Sequence, residues 1–406
     1  MDSNPELNPA NPLHEESAPG DEGDASLADD IFGIAEYIPE TPKKKDFQPW
    51  HKPRKQYVRE SQWCEEILKM VDEILPENNV LKYLGLPGDD LFDIRFFHEQ
   101  ICVQKNLKIK FLGFNTSVTA TSDNKAEFNI SLDEVTKLPY VDPGSEVIGD
   151  DITDIASRDS FAWDKFRKMG PVDVINIDLC DGFGKHPPDK FVKTHYNTLA
   201  QFLSLQARRQ NPWLLLLTTR TGIDHIDANV LTILKALYNN NLTKCSNFQN
   251  SSAAKFSINN ANDIDEACKT GKGVSDIFII SLCKWVAQLL VQQDPSSKME
   301  VRSVIGYKVY PTASHQDLVS VAIKIIPTAS ITNDPLGLVQ PTPLDNKENP
   351  DECSMAVQAL KSVAQQVDAD VMLDDDPALK KRMITEFSDL LDSARYDISK
   401  YLDWLG

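Results

Sequence analysis

VLKYLGLPGDDLFDIRFFHEQ, residues 80–100, runs as an apolar strand that breaks at Gly85, turns at Pro87-Gly88 and resumes as a helix whose first turn is acidic. The helical face passes through Leu91, Ile94, Phe97 and Ile101. LKIKFLGFN, Leu107–Asn115, follows as a second strand. Strand, tight turn, helix and strand in one short stretch is the βαβ unit of a parallel sheet.

Downstream the alternation continues. AEFNISLDEV and SEVIGDDIT read as weaker strands, and Asp154–Met169 as a helix. VDVINIDL, Val172–Leu179, is a continuous apolar run of the kind found in strands covered on both faces. A helix over about Lys190–Arg209 leads to WLLLLTTR, Trp213–Arg220, another buried strand. Asn229–Tyr238 and Asp276–Val291 are helical; VRSVIGYKVY and LVSVAIKII are joined by a turn rather than a helix. The expected fold class is α/β, a doubly wound, mostly parallel sheet with a terminal antiparallel hairpin.

Composition divides the remainder. Residues 1–42 are acidic and poor in large apolar groups, which predicts a disordered tail. Residues 43–60 read as a basic, aromatic arm and 61–327 as the main domain, opening on a helix over Ser61–Leu75. Prolines and asparagines mark 328–351 as a linker, and 352–406 as a C-terminal helical segment. The net charge of −19 over 406 residues argues against wholesale coating of nucleic acid or an anionic membrane. Seven scattered cysteines with no C-x-x-C pair read as reduced thiols of a cytoplasmic protein. The apolar stretch Ile277–Val291 is interrupted by Lys284 and Gln288, so a buried helix is expected and no membrane partner.

Ligands of open α/β sheets sit at the carboxyl ends of the strands, where glycine admits close approach. Gly85 and Gly88 lie at such an end; an ordinary tight turn explains them equally well. Asp178 and Asp181 close the most buried strand, where a carboxylate faces a cleft or caps a helix. His186 is a candidate proton acceptor, with a surface loop as the alternative; Cys180 reads as a packed thiol. Arg220 ends the next strand and suits a substrate phosphate, or a salt bridge. Lys52, Arg54 and Lys55, interleaved with aromatics in residues 43–59, suit nucleic acid or a protein partner with similar weight; the alternative is that the acidic tail folds back on the segment or that its aromatics anchor it to the domain surface.

Over roughly Val80–Pro327 the order of elements resembles the class I S-adenosylmethionine-dependent methyltransferase fold. In that resemblance YLGLPG, Tyr83–Gly88, stands for the glycine-rich loop, Asn115 takes the place of the ribose-binding acid, Asp150 or Asp151 contacts adenine, and DLCDGFG, Asp178–Gly184, faces the methyl group. It implies S-adenosylmethionine as cofactor, held by Gly85, Gly88, Asn115 and Asp151. Asp178, Asp181 and His186 then form the acceptor side, and the substrate is a nucleic acid or something associated with one. No Asn/Asp-Pro-Pro-aromatic tetrapeptide follows the fourth strand. The alternative is an inactive methyltransferase-fold scaffold, assembling a complex through the basic arm and C-terminal helices, which the shortened glycine loop and Asn115 favour. Nicotinamide chemistry ranks last, for want of G-x-G-x-x-G.

Overall fold

The apolar runs of residues 80–114 and 172–220 lie side by side in one sheet, all pointing the same way. The structure, a computed structural model, describes residues 43–119, 123–186, 191–310, 312–330, 338, 342–343 and 350–406. The expected tail 1–42 and most of the expected linker fall outside these residues.

In chain order the strands are β1 (Val80–Gly85), β2 (Lys108–Phe114), β3 (Glu146–Ile148), β4 (Val174–Asp178), β5 (Trp213–Arg220), β6 (Ser297–Tyr307) and β7 (Leu318–Pro327), followed by the short β8 (Ala329–Ser330), β9 (Thr342–Pro343) and β10 (Val367–Asp368). The main sheet has the order β10-β6-β7-β5-β4-β1-β2-β3, while β8 and β9 pair separately. β7 lies antiparallel between β5 and β6, and the other pairings of the main sheet are parallel. The expected terminal hairpin is therefore present, with its second strand inserted inside its first.

Both faces of the sheet are covered. In β5, Leu215 and Leu217 point into one core and Leu214 and Leu216 into the other, as alternation along a strand requires. Each is at most 2% exposed, which stabilises the fold by about 1.5–3 kcal/mol per side chain. The first core is closed by α5 (Phe161–Met169), α6 (His195–Gln206), α7 (Ala228–Lys244), α8 (Ser246–Phe256), α9 (Ala261–Ala267), α10 (Gly271–Gln292) and α11 (Glu352–Ala364). The second is closed by α1 (Pro53–Val58), α2 (Glu65–Glu73), α3 (Phe92–Phe97), α4 (Asp123–Thr136), α12 (Ala369–Asp375), α13 (Pro377–Ser393) and α14 (Ile398–Leu405). α10 is long and apolar enough to cross a membrane, but 78% of its most apolar window is buried within the protein, as the sequence predicts for a core helix.

Two expectations are corrected and one open alternative is decided. AEFNISLDEV is helical, within α4: Phe128, Ser131 and Val135 are fully buried at helical spacing while Ile130 is exposed, so the apparent alternation misleads. Residues 44–60 are anchored on the domain, one of the alternatives open for this segment. α1 is buried along its whole length and runs through a π-helical turn, Arg59–Cys64, into α2. Lys44 pairs with Tyr396 in an isolated bridge, and Phe47 packs against Tyr396, Tyr401 and Trp404. Lys44–Gly406 thus forms one unit, with the C-terminal helices inside it. Finally, Cys245 and Cys353 are joined in a disulfide between the start of α8 and α11, which overturns the reading of all seven cysteines as reduced.

Candidate functional site

From β1 the chain proceeds to β2 and β3 on one side of the sheet, and from β4 to β5 on the other. β1 and β4 are neighbours, so their carboxyl ends form the switch point where a doubly wound sheet opens a crevice. Tyr83 and Val174 face the second core; strand alternation places Gly85, Asn176 and Asp178 on that same face.

α1 lies over this point. Lys55 sends its ammonium to within 2.5 Å of the Asp178 Oδ1 and 4.3 Å of the Trp63 ring centroid. Burial alone would push Lys55 down; Asp178, Tyr307 and Asp93 outweigh it and hold Lys55 above its ordinary value. Burial in turn pushes the Tyr307 phenol, at the end of β6, up to about 12. One turn further along, Arg59 donates from Nε to Asp93 Oδ1 (2.8 Å) and from Nη1 to Gln56 Oε1 (2.8 Å). Tyr83 is raised well above its ordinary range, by burial first and then by Asp93. The buried Asn176 amide lies close to the Tyr83 hydroxyl, yet neither its Nδ2 nor its Oδ1 meets hydrogen-bond geometry.

A second cluster occupies the loops after β4 and β5. Asp181 accepts the Gly182 N–H (2.8 Å) and the His225 Nδ1 (2.9 Å) on Oδ1, and the Lys185 ammonium (2.8 Å) on Oδ2. Burial works against its charge, but these bonds outweigh it and lower Asp181 to about 2. Cys180, expected as a packed thiol, is exposed and within electrostatic reach of Asp178, Lys55 and Asp181.

The remaining expected site residues are held by local partners. A Cβ at Gly85 would stand 2.7 Å from the Tyr83 ring, so that glycine is required by the protein's own packing; above Gly88 there is open space. Asn115 donates to Asp89 Oδ1 (2.9 Å) and to the Pro87 carbonyl (3.2 Å). Asp151 caps the short helical turn Ile152–Ala156 through the Thr153 N–H and hydroxyl. His186 contributes its backbone N–H to Asp227.

The four cations expected to bind substrate are engaged inside the protein. Arg220 pairs with Asp317 (2.7 Å), Arg54 with Asp370 (2.9 Å) and the Val309 carbonyl, and Lys55 with Asp178; Lys52 lies 3.7 Å over the Trp404 ring. Sequence reasoning missed Asp93 and His225. A histidine in the loop after β5, in TTRTGIDH, was the available signal, but its partner Asp181 lies 44 residues earlier in the chain.

A sheet with these neighbours and this one reversed strand defines a doubly wound, mostly parallel α/β protein. The chain belongs to the PP_RS20740-like family, whose model matches residues 44–406. A search of curated proteins finds no match. Among solved structures, a Listeria monocytogenes protein assigned as a class I S-adenosylmethionine-dependent methyltransferase is 10% identical, with a TM-score of 0.32 over 82% of this chain and 71% of that one. That likeness is too loose to add to what the strand order says.

Proposed function

We propose that the crevice at the carboxyl ends of β1 and β4 binds S-adenosylmethionine and serves methyl transfer. The observation that carries this reading is the Lys55–Asp178 pair. An ammonium and a carboxylate at a switch point are the complement of an amino-acid zwitterion, whose carboxylate would go to Lys55 and whose ammonium would go to Asp178. Asn176, two residues before Asp178 on the same face of β4, adds a buried polar side chain next to this pair. A buried pair of ion pairs, Lys55–Asp178 and Arg59–Asp93, is also a weak contributor to stability compared with apolar packing, which makes a functional reason for it more persuasive.

When bound, the cofactor supplies an electrophilic methyl group. The residues of the chain orient it, exclude water and hold the acceptor's proton. The nucleic-acid acceptor expected from the basic segment is not carried forward, because Arg54 is engaged by Asp370 and the Val309 carbonyl and Lys52 lies over the Trp404 ring.

A second reading, the inactive scaffold, is favoured by the Tyr83 ring over Gly85 and by the Asn115–Asp89 bond, which places a side chain of the protein at the ribose position. Calorimetric titration with S-adenosylhomocysteine separates the two. Saturable heat in the native chain, lost in the double variant Lys55→Met/Asp178→Asn, which removes both charges together and is checked for folding by circular dichroism, supports the binding reading. A flat trace in the native chain refutes it in favour of the scaffold.

A further inference from the structure

We propose that His225, oriented by Asp181, is the proton acceptor beside this crevice, the role that the sequence assigns to His186. The inference rests on the binding reading above and adds to it a residue that takes the acceptor's proton. His225 Nδ1 lies 2.9 Å from Asp181 Oδ1. A carboxylate only accepts, so Nδ1 carries the hydrogen and the lone pair is left on Nε2. Nε2 meets no hydrogen-bond partner among the described residues, and the side chain is 22% exposed.

The supporting loops are built around this pair. A Cβ on Gly182 would fall 2.2 Å from the His225 carbonyl oxygen, and one on Gly184 would fall 2.9 Å from Ile226, so both glycines let the loop after β4 lie directly under the loop after β5. The Phe183 N–H donates to Thr219 Oγ1 (2.7 Å) and the Asp227 N–H to the Gly184 carbonyl (3.1 Å), tying the two loops together. The two clusters are joined through the chain, since Asp181 follows Asp178 by three residues at the carboxyl end of β4 and His225 lies in the loop after the neighbouring β5. His186, by contrast, is held among the described residues by its backbone N–H, which donates to Asp227.

In the reaction, an acceptor N–H or O–H gives its proton to His225 Nε2 as its lone pair takes the methyl carbon. The electron pair of the broken C–S bond stays on sulfur, so atoms and charge balance. The charged groups facing His225 are Asp181 and, on that carboxylate's other oxygen, Lys185; Asp224 and Asp227 flank it in the chain.

Two measurements on the full chain test this. Nitrogen-15 NMR of the native imidazoles is expected to find His225 protonated on Nδ1 and bare on Nε2, an arrangement that Asp181→Asn disturbs; a hydrogen on Nε2 in the native chain overturns the proposal. Transfer of label from methyl-tritiated S-adenosylmethionine into the RNA, protein and small-molecule fractions of a cell extract is expected to fall about 100- to 10,000-fold in His225→Ala, with free imidazole restoring part of it. S-Adenosylhomocysteine binding is expected to persist in that variant. Unchanged transfer, or none restored by imidazole, overturns the proposal, as does absence of transfer into every fraction while the native chain still binds S-adenosylhomocysteine. In those cases the binding reading stands, whereas a flat titration of the native chain removes that reading and the dyad with it.

Discussion

Acidifying the protein from pH 7 to pH 4 is expected to remove about 3 kcal/mol of stability through His51 alone. The ring is 1% exposed and packed by Phe47, Phe92, Phe387 and Tyr396. Its Nδ1 accepts the Gln48 N–H at 3.2 Å, and its buried Nε2 has no partner among the described residues. Burial lowers His51 from 6.5 to about 4; Asp90 opposes this, while Arg59 and Lys44 add to it. The folded state therefore binds this proton less readily than the unfolded chain does. No stability is lost above about pH 6.5, the loss grows as pH falls, and it is complete below about pH 4. At about 1.36 kcal/mol for each tenfold change in proton affinity, the drop to about 4 gives the figure quoted. The assay is urea unfolding of the native chain and of His51→Asn at several pH values. Asparagine keeps an acceptor near the Gln48 N–H but takes up no proton, and carboxylates that titrate elsewhere cancel in the difference. The two chains should converge by about 3 kcal/mol between pH 7 and 4; parallel curves over that range would refute the assignment of a neutral, desolvated imidazole.

Further tests follow from the same contacts. Lys55→Ala leaves Asp178 unpaired beneath α1 and should cost about 3–5 kcal/mol in denaturant unfolding, while adding Asp178→Asn should recover part of it; additive losses would mean the pair is not coupled. Denatured protein should expose five free thiols to an aromatic disulfide reagent without reductant and seven with it, and reduction should lower stability by about 2–4 kcal/mol; seven thiols before reduction would remove the Cys245–Cys353 bond. Gly182→Ala should cost about 1–3 kcal/mol and shift the His225 NMR signals, since its Cβ meets the His225 carbonyl oxygen; unchanged signals would show that the loop has slack. Tyr401→Phe removes the hydroxyl that donates to the His51 carbonyl at 2.8 Å and should cost about 1 kcal/mol in thermal or denaturant unfolding, a neutral result showing that water replaces it.

The amino-acid sequence by itself determined the sheet. Apolar runs such as Val174–Asp178 and Trp213–Arg220, ended by glycine or acid and separated by helix-forming stretches, have parallel, doubly covered strands as their natural outcome, because strand burial and helix amphipathicity are properties of neighbouring residues. It also placed Gly85 and Asp178 at the ends of two apolar runs, which the structure sets side by side as β1 and β4. What it left open depended on residues far apart in the chain. Whether Lys55 and Arg54 point outward or inward was decided by α1 docking against the sheet edge and the C-terminal helices, where Asp178 and Asp370 await 123 and 316 residues away. The bond between Cys245 and Cys353, 108 residues apart, and the meeting of Asp181 with His225 arise in the same way. In α4 even a local pattern was reversed, since the face that found a core to bury was the one bearing Phe128, Ser131 and Val135. Charges and thiols reach their partners only when the backbone brings distant segments to within a few ångströms, and periodicity along the chain carries no record of that distance.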